Sequence, residues 1–167
     1  MRVDSEVIID APAEQVFAVI VDVERYPEWN SFTPSMTLRN DGVVAGTEFD
    51  LDCQMTEREL LRGEREVVLA VDRERFVLCN GTSRTRGRWG VESERWQRCH
   101  SLPDGRTRLE NYEIFRGPLT VPLWLFYRGR LRRAFARYCG DLKRRVESLA
   151  PGSEQGKNWQ TSRGAGK

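Results

Sequence analysis

Histidine is almost missing from this chain. His100 is the single one in 167 residues, and lysine occurs only at Lys143, Lys157 and Lys167. With one imidazole and no C-x-x-C pair among Cys53, Cys79, Cys99 and Cys139, a Cys/His zinc cluster cannot be assembled. No run approaches the ~20 apolar residues of a membrane-spanning helix. The opening Met1-Arg2-Val3-Asp4-Ser5-Glu6 carries acids where a secretory signal places its apolar core. G-x-S-x-G, a glycine-rich phosphate loop and H-E-x-x-H are all absent, so hydrolase, nucleotide-binding and zinc-protease chemistry lack their usual carriers. A net charge of +2, from 27 basic and 25 acidic residues, is too balanced for a nucleic-acid-binding domain. The expectation is a cytoplasmic protein with no metal, no cofactor, no nucleic-acid partner and no membrane span. Its scattered thiols should be buried and reduced.

What is present is a pattern in three parts. Residues 3–10 alternate as a strand with one buried face. Ala11-Pro12-Ala13-Glu14 then opens a helix, with Asp10 as the predicted cap and proline in the first turn. Val16, Phe17, Ile20 and Val23 form its apolar stripe, and Pro27 makes 22–29 a second short helix. From residue 35 the period becomes two, predicting strands at 35–40, 47–55, 64–71, 75–80, 88–99 and 107–115. Asp41-Gly42, Val71-Asp72-Arg73-Glu74, Asn80-Gly81 and Pro103-Asp104-Gly105 are the predicted turns, short enough to make neighbours antiparallel. After Gly117-Pro118, a stripe of Leu123, Tyr127, Leu131, Ala134, Phe135, Tyr138, Leu142, Val146 and Leu149 predicts one long helix. Residues 1–150 read as a single domain. Residues 151–167, rich in Gly, Ser, Gln and Lys, read as a flexible tail.

This order predicts an α+β fold: a curved seven-stranded antiparallel sheet around a long C-terminal helix, with two short helices after strand 1. One helix cannot fill such a sheet along its whole length, so a cavity should lie between them.

The stretch Ile9-Asp10-Ala11-Pro12-Ala13-Glu14-Gln15-Val16-Phe17 is followed by Tyr26-Pro27-Glu28-Trp29-Asn30. Later come Asp104-Gly105-Arg106-Thr107-Arg108-Leu109 and Glu113-Ile114-Phe115-Arg116-Gly117-Pro118-Leu119. In this order, over residues 3–149, they resemble the START/Bet v 1-like (SRPBCC) superfamily and its polyketide cyclase/dehydrase-type branch. The resemblance implies the helix-grip fold and a deep, mostly apolar cavity for a small hydrophobic molecule. It shares a container among relatives rather than one reaction.

Candidate site residues follow. On the last two strands, Glu92, Glu94, Trp96 and Arg98 share one face, and Leu109, Asn111, Glu113 and Phe115 share another. The resemblance implies that Glu113 and Phe115, with Glu94 and Trp96, face the cavity. A desolvated carboxyl there has its pKa raised. Glu94, Glu113 and Asn111 then become candidate acid–base groups for cyclisation or dehydration. The alternative is that these acids pair with arginines in solvent, since a one-residue slip exchanges the faces. Tyr26, Trp29, Asn30 and Phe32 fall where the resemblance implies a cavity mouth. There the rings could stack on a ligand and Asn30 could bond a carbonyl, unless they simply plug the core. Trp124, Phe126, Tyr127 and Tyr138 offer wall from the long helix, unless they are plain core. His100, beside a turn, reads as a surface group. Arg128, Arg130, Arg132, Arg133 and Arg137 could dock an acidic carrier protein, although solvated helix surface serves as well. The reading is a protein that binds a polyketide-like or polycyclic molecule and cyclises or dehydrates it by acid–base chemistry. The other reading is a non-catalytic lipid or quinone carrier or sensor.

Overall fold

Alternating burial along Arg2–Ile9 makes β1, with Val3 and Ile9 turned inward. The computed structural model describes residues 1–82 and 90–149. The start of the strand predicted at 88 and the tail predicted at 151–167 lie outside the described residues. Helix α1 (Ala13–Ile20) buries Ala13, Val16, Phe17, Val19 and Ile20. Its cap position is held by Pro12, not by the predicted Asp10, and no side chain caps it. Asp10 instead donates its backbone N–H to Glu147 Oε1 at 3.0 Å, tying the first turn to the end of the chain's last helix. The short helix predicted at 22–29 is split: a 3-10 turn (Val23–Arg25) leads into α2 (Tyr26–Trp29), with Pro27 in its first turn.

Six more strands follow: β2 (Ser35–Leu38), β3 (Glu48–Thr56), β4 (Glu59–Asp72), β5 (Val77–Thr82), β6 (Glu92–Ser101) and β7 (Thr107–Arg116). They form one antiparallel sheet in the order β1-β7-β6-β5-β4-β3-β2. Two local predictions are corrected. The β3–β4 hairpin turns at Glu57-Arg58, so β4 starts five residues before the predicted 64. Asn80-Gly81 is not a turn but part of β5. A Cβ on Gly81 would lie 2.2 Å from the Ser93 carbonyl oxygen, so this glycine serves close approach of β6 rather than a bend.

Helix α3 (Thr120–Ser148) crosses the concave face and packs on β1, β3, β7, α1 and α2. Its apolar stripe behaves differently along its length. Ala134, Phe135, Tyr138, Leu142 and Val146 are fully buried, whereas Leu123, Tyr127 and Leu131 are only half-buried. One end of the sheet is therefore packed solid and the other is not. Buried Asp141 locks the solid end: it accepts from the Ser31 N–H at 2.8 Å and the Ser31 hydroxyl at 2.5 Å, and pairs with Arg144. The four cysteines are buried and unpaired.

Candidate active site

Where α3 stands away from the sheet, a cavity of about 400 Å³ remains. Phe32, Phe49, Leu51, Met55, Val68 and Leu123 give it an apolar wall. That volume lies within the ~300–1,000 Å³ of small-molecule sites. Polar groups are gathered on β4, β5, β6 and β7: Glu66, Asn80, Ser93, Arg95, Gln97 and Glu113.

The pairing of β6 with β7 decides which side chains enter. Arg95 stands opposite Glu113, Gln97 opposite Asn111 and Ser93 opposite Phe115, and these pairs face inward. Glu113 and Phe115 thus line the cavity. Glu94 and Trp96 do not, which corrects the facing inferred for them. Glu94 lies opposite Ile114 on the outer face and pairs with Arg116 at 2.7 Å. Trp96 stacks on Tyr112 at 6.5 Å between ring centroids, with the Arg98 guanidinium 4.9 Å from its ring. The expected one-residue slip occurred because β6 reverses the usual signal, putting a tryptophan outside and an arginine inside. On the outer face, Arg2 over Tyr112 (3.8 Å) completes a stack of guanidinium and aromatic planes that covers Trp96.

Asn111 is wholly buried but supports rather than lines the site. Its Oδ1 accepts from Arg95 Nε at 2.9 Å, and its Nδ2 donates to Ser5 Oγ at 2.9 Å. The mouth candidates divide. Tyr26 and Phe32 line the cavity, with the Tyr26 hydroxyl donating to the Ile20 carbonyl at 2.7 Å. Trp29 packs instead on Tyr26 and Tyr138. Asn30 is held in an Asx turn, its Oδ1 accepting from the Phe32 and Thr33 N–H groups at 3.0 and 3.2 Å, so it does not offer that oxygen to a ligand. On α3, Tyr127 lines the cavity and its hydroxyl donates to Glu59 at 2.9 Å. Trp124 packs behind Phe115, and Tyr138 lies beneath the cavity, its hydroxyl bonded to Gln97. His100 is at the surface beside Glu110.

Glu66, Asn80, Arg95 and Gln97 were missed in the sequence. Glu66 sits in a charge-rich stretch (Arg62-Gly63-Glu64-Arg65-Glu66) that gives no hint of its facing, and Asn80 read as a turn residue. The two carboxyls are the chemically notable groups. Burial raises the Glu113 pKa to about 7, with the nearby Glu66 pushing the same way and Ser93 and Arg95 opposing. Burial likewise raises Glu66, against the opposing hydrogen bond from Asn80. Two carboxyls crowded in an apolar space hold one proton more tightly than either would alone. Among the described residues, no cluster of three or more His, Cys, Asp and Glu could hold a metal, and no helix is long and apolar enough to cross a membrane.

Residues 1–147 match the family model described as polyketide cyclase / dehydrase and lipid transport. No curated protein matches the chain in sequence. Among solved structures, the fold is similar to the ZhuI aromatase/cyclase from Streptomyces sp. R1128, at 18% identity and a TM-score of 0.74, over 92% of this chain and 98% of that one. It is also similar to a START superfamily protein from Mycobacterium smegmatis, at 18% identity and a TM-score of 0.67, over 89% and 99% of the two chains. A third is truncated norcoclaurine synthase from Thalictrum flavum, at 17% identity and a TM-score of 0.66, over 92% and 95%.

Proposed function

Since the chain belongs to the polyketide cyclase/dehydrase and lipid transport family, within the START/Bet v 1-like (SRPBCC) superfamily, we propose that its cavity takes up a small, largely apolar, carbonyl-bearing molecule and catalyses its cyclisation or dehydration, with Glu113 as the acid–base group. The observation that carries this reading is the pair of proton-holding carboxyls, Glu113 and Glu66, facing the apolar wall of Phe32, Phe49, Leu51, Met55, Val68 and Leu123. A group whose pKa lies near neutrality both takes and gives protons efficiently. Ionised Glu113 removes a proton from a carbon flanked by carbonyls, and the resulting enolate carbon bonds to another carbonyl carbon. The proton then goes to the new alkoxide oxygen, and a second proton transfer lets the hydroxyl leave as water. The apolar wall folds the chain of carbonyls and keeps bulk water out.

Delivery is the second part of the proposal. Leu125 and Phe126 on α3 are 77% and 74% exposed, with Arg128, Arg132 and Arg133 exposed beside them. An apolar anchor among guanidinium groups suits an acidic carrier protein presenting the substrate.

The test is incubation with a synthetic poly-β-ketone thioester, with products followed by mass spectrometry. Glu113→Gln should lose about 10²–10⁴-fold in rate, while Glu94→Gln, changed on the outer face, keeps it. Full rate in Glu113→Gln refutes the assignment. Binding without any product in the wild type refutes catalysis and leaves a carrier.

A further inference from the structure

Arg95 is the only arginine sealed in the core among the described residues, at 7% exposure, and it projects from β6 into the cavity. It is aimed rather than loose. Nε donates to Asn111 Oδ1 at 2.9 Å, and Asn111 is itself fixed by Ser5. The guanidinium lies 4.3 Å from the Tyr138 ring centroid, 4.8 Å from Phe135 and 5.4 Å from Phe32. Those aromatic faces soften the burial of a cation but accept no conventional hydrogen bond. Nη2 is buried and has no hydrogen-bond partner. A buried donor left unmade is costly, and most such groups in native proteins are satisfied.

The surroundings neutralise this cation only where Glu113 or Glu66 gives up its proton. Asn111 is uncharged. The ionisable groups that feel Arg95 are Tyr26 on α2, Cys53 on β3, Glu66 on β4, Glu113 on β7, and Tyr138 and Cys139 on α3. Burial raises all six, so each holds its proton more firmly than in water. The carboxyls have other partners besides: Asn80 donates to Glu66, and Ser93 bonds Glu113. An arginine that never deprotonates thus lines the cavity and carries a buried N–H with no partner.

We propose that Arg95 is the anion-binding residue of this cavity: its free Nη2 donates to a carboxylate oxygen of an otherwise apolar ligand, so the protein selects aromatic or polycyclic acids over neutral molecules of the same shape. The proposal rests on the reading of the cavity as a ligand site and adds the ligand's charge. A charge-assisted hydrogen bond in a dry site is roughly twice as strong as a neutral one. The carboxylate enters beside Glu113 and Glu66, so it binds best while that pair keeps its proton. Ionised Glu113 competes for the same guanidinium. Acid binding therefore weakens as pH rises through neutrality.

The experiment is calorimetric titration with 2-naphthoate and its neutral counterpart 2-acetylnaphthalene. The wild type should bind the acid at least about tenfold more tightly than the ketone. Arg95→Gln should erase that preference by weakening the acid alone. Asn111→Asp gives a second arm that leaves Arg95 in place. The new carboxylate pairs with the guanidinium, so acid binding falls and ketone binding stays. In Glu113→Gln, where Glu66 alone still titrates, the acid affinity should vary less with pH across neutrality than in the wild type. Equal wild-type affinity for the two probes, or an acid preference that survives both Arg95→Gln and Asn111→Asp, overturns the assignment of Arg95 and leaves the cavity reading standing. If neither probe binds the wild type, both readings fail.

Discussion

Glu113 should make this protein less stable as the solution turns basic, the reverse of what ion-paired carboxylates do. Its carboxyl has an ordinary pKa of 4.5 in the unfolded chain and about 7 in the fold. Between those values the native state holds a proton that the unfolded state has released, so stability falls as pH rises. Below the lower value both states are protonated, and above the upper value both are ionised, so the slope is confined to that window. The two values differ by about 2.5, and at about 1.4 kcal/mol for each, ionisation of buried Glu113 costs roughly 3 kcal/mol. Glu66 adds in the same direction. Against a typical total of about 5–15 kcal/mol this is readily measured. The assay is urea unfolding of the wild type and Glu113→Gln from about pH 5 to about pH 8. Carboxylates lowered by ion pairs, such as Asp50 and Glu147, titrate in both proteins and cancel in the difference. The amide cannot ionise, so the variant lacks the carboxyl that burial and Glu66 together raise. Glu113→Gln should gain on the wild type by roughly 3 kcal/mol across the window. Parallel pH profiles for the two proteins would show that Glu113 ionises as it does in water, and the argument for its acid–base role would go with it.

The solid and hollow ends of the sheet can be told apart by truncating one α3 residue in each. Leu142→Ala should cost about 2–5 kcal/mol in urea unfolding, whereas Leu123→Ala, at the cavity wall, should cost under about 1 kcal/mol; equal losses would mean the wall is packed core. Gly81→Ala places a methyl against the Ser93 carbonyl and should destabilise by about 1–3 kcal/mol, read as a lowered Tm. For the carrier docking, Phe126→Ser and Arg132→Glu should each weaken binding of a purified acidic acyl carrier protein, the second with loss of its salt dependence; unchanged binding would remove α3 from the interface.

The architecture was legible because it rests on periodicity. The α3 stripe, the proline that sets α2 apart and the two-residue rhythm of the strands are each written many times over. The site was legible only in part, because each site residue is written once. Glu113 and Phe115 lie in a strand whose inward residues, Leu109, Asn111, Glu113 and Phe115, could be grouped in advance. Glu94 and Trp96 were misassigned because the resemblance does not fix the register of β6, and nothing local announces an outer stack made from Arg2, Tyr112 and Arg98. The Asn80-Gly81 pair misled for a related reason. Its glycine answers to the backbone of a neighbouring strand distant in sequence, and such a demand is invisible to a local turn rule.

The same register that frustrated the sequence reading explains why the cavity can be polar at all. A buried arginine, buried Glu113 and half-buried Glu66 would destabilise a sheet whose core was complete beneath them. Here Glu66 on β4 and Glu113 on β7 line the hollow, where a ligand can supply missing contacts, and Arg95 on β6 stands at its inner edge against Phe135 and Tyr138. Further along α3, beyond Ala134, the inward face is held by Phe135, Tyr138, Leu142 and Val146, which bury fully and carry the stability. Asn111 and Gln97 lie at the seam. Each is anchored to the packed side, through Ser5 and Tyr138, while Gln97 and the Arg95 that Asn111 holds reach the hollow. The packed end thus fixes the geometry that the open end uses, and a substitution at Ser5 or Tyr138 acts on the site through Arg95 and Gln97 without touching the ligand.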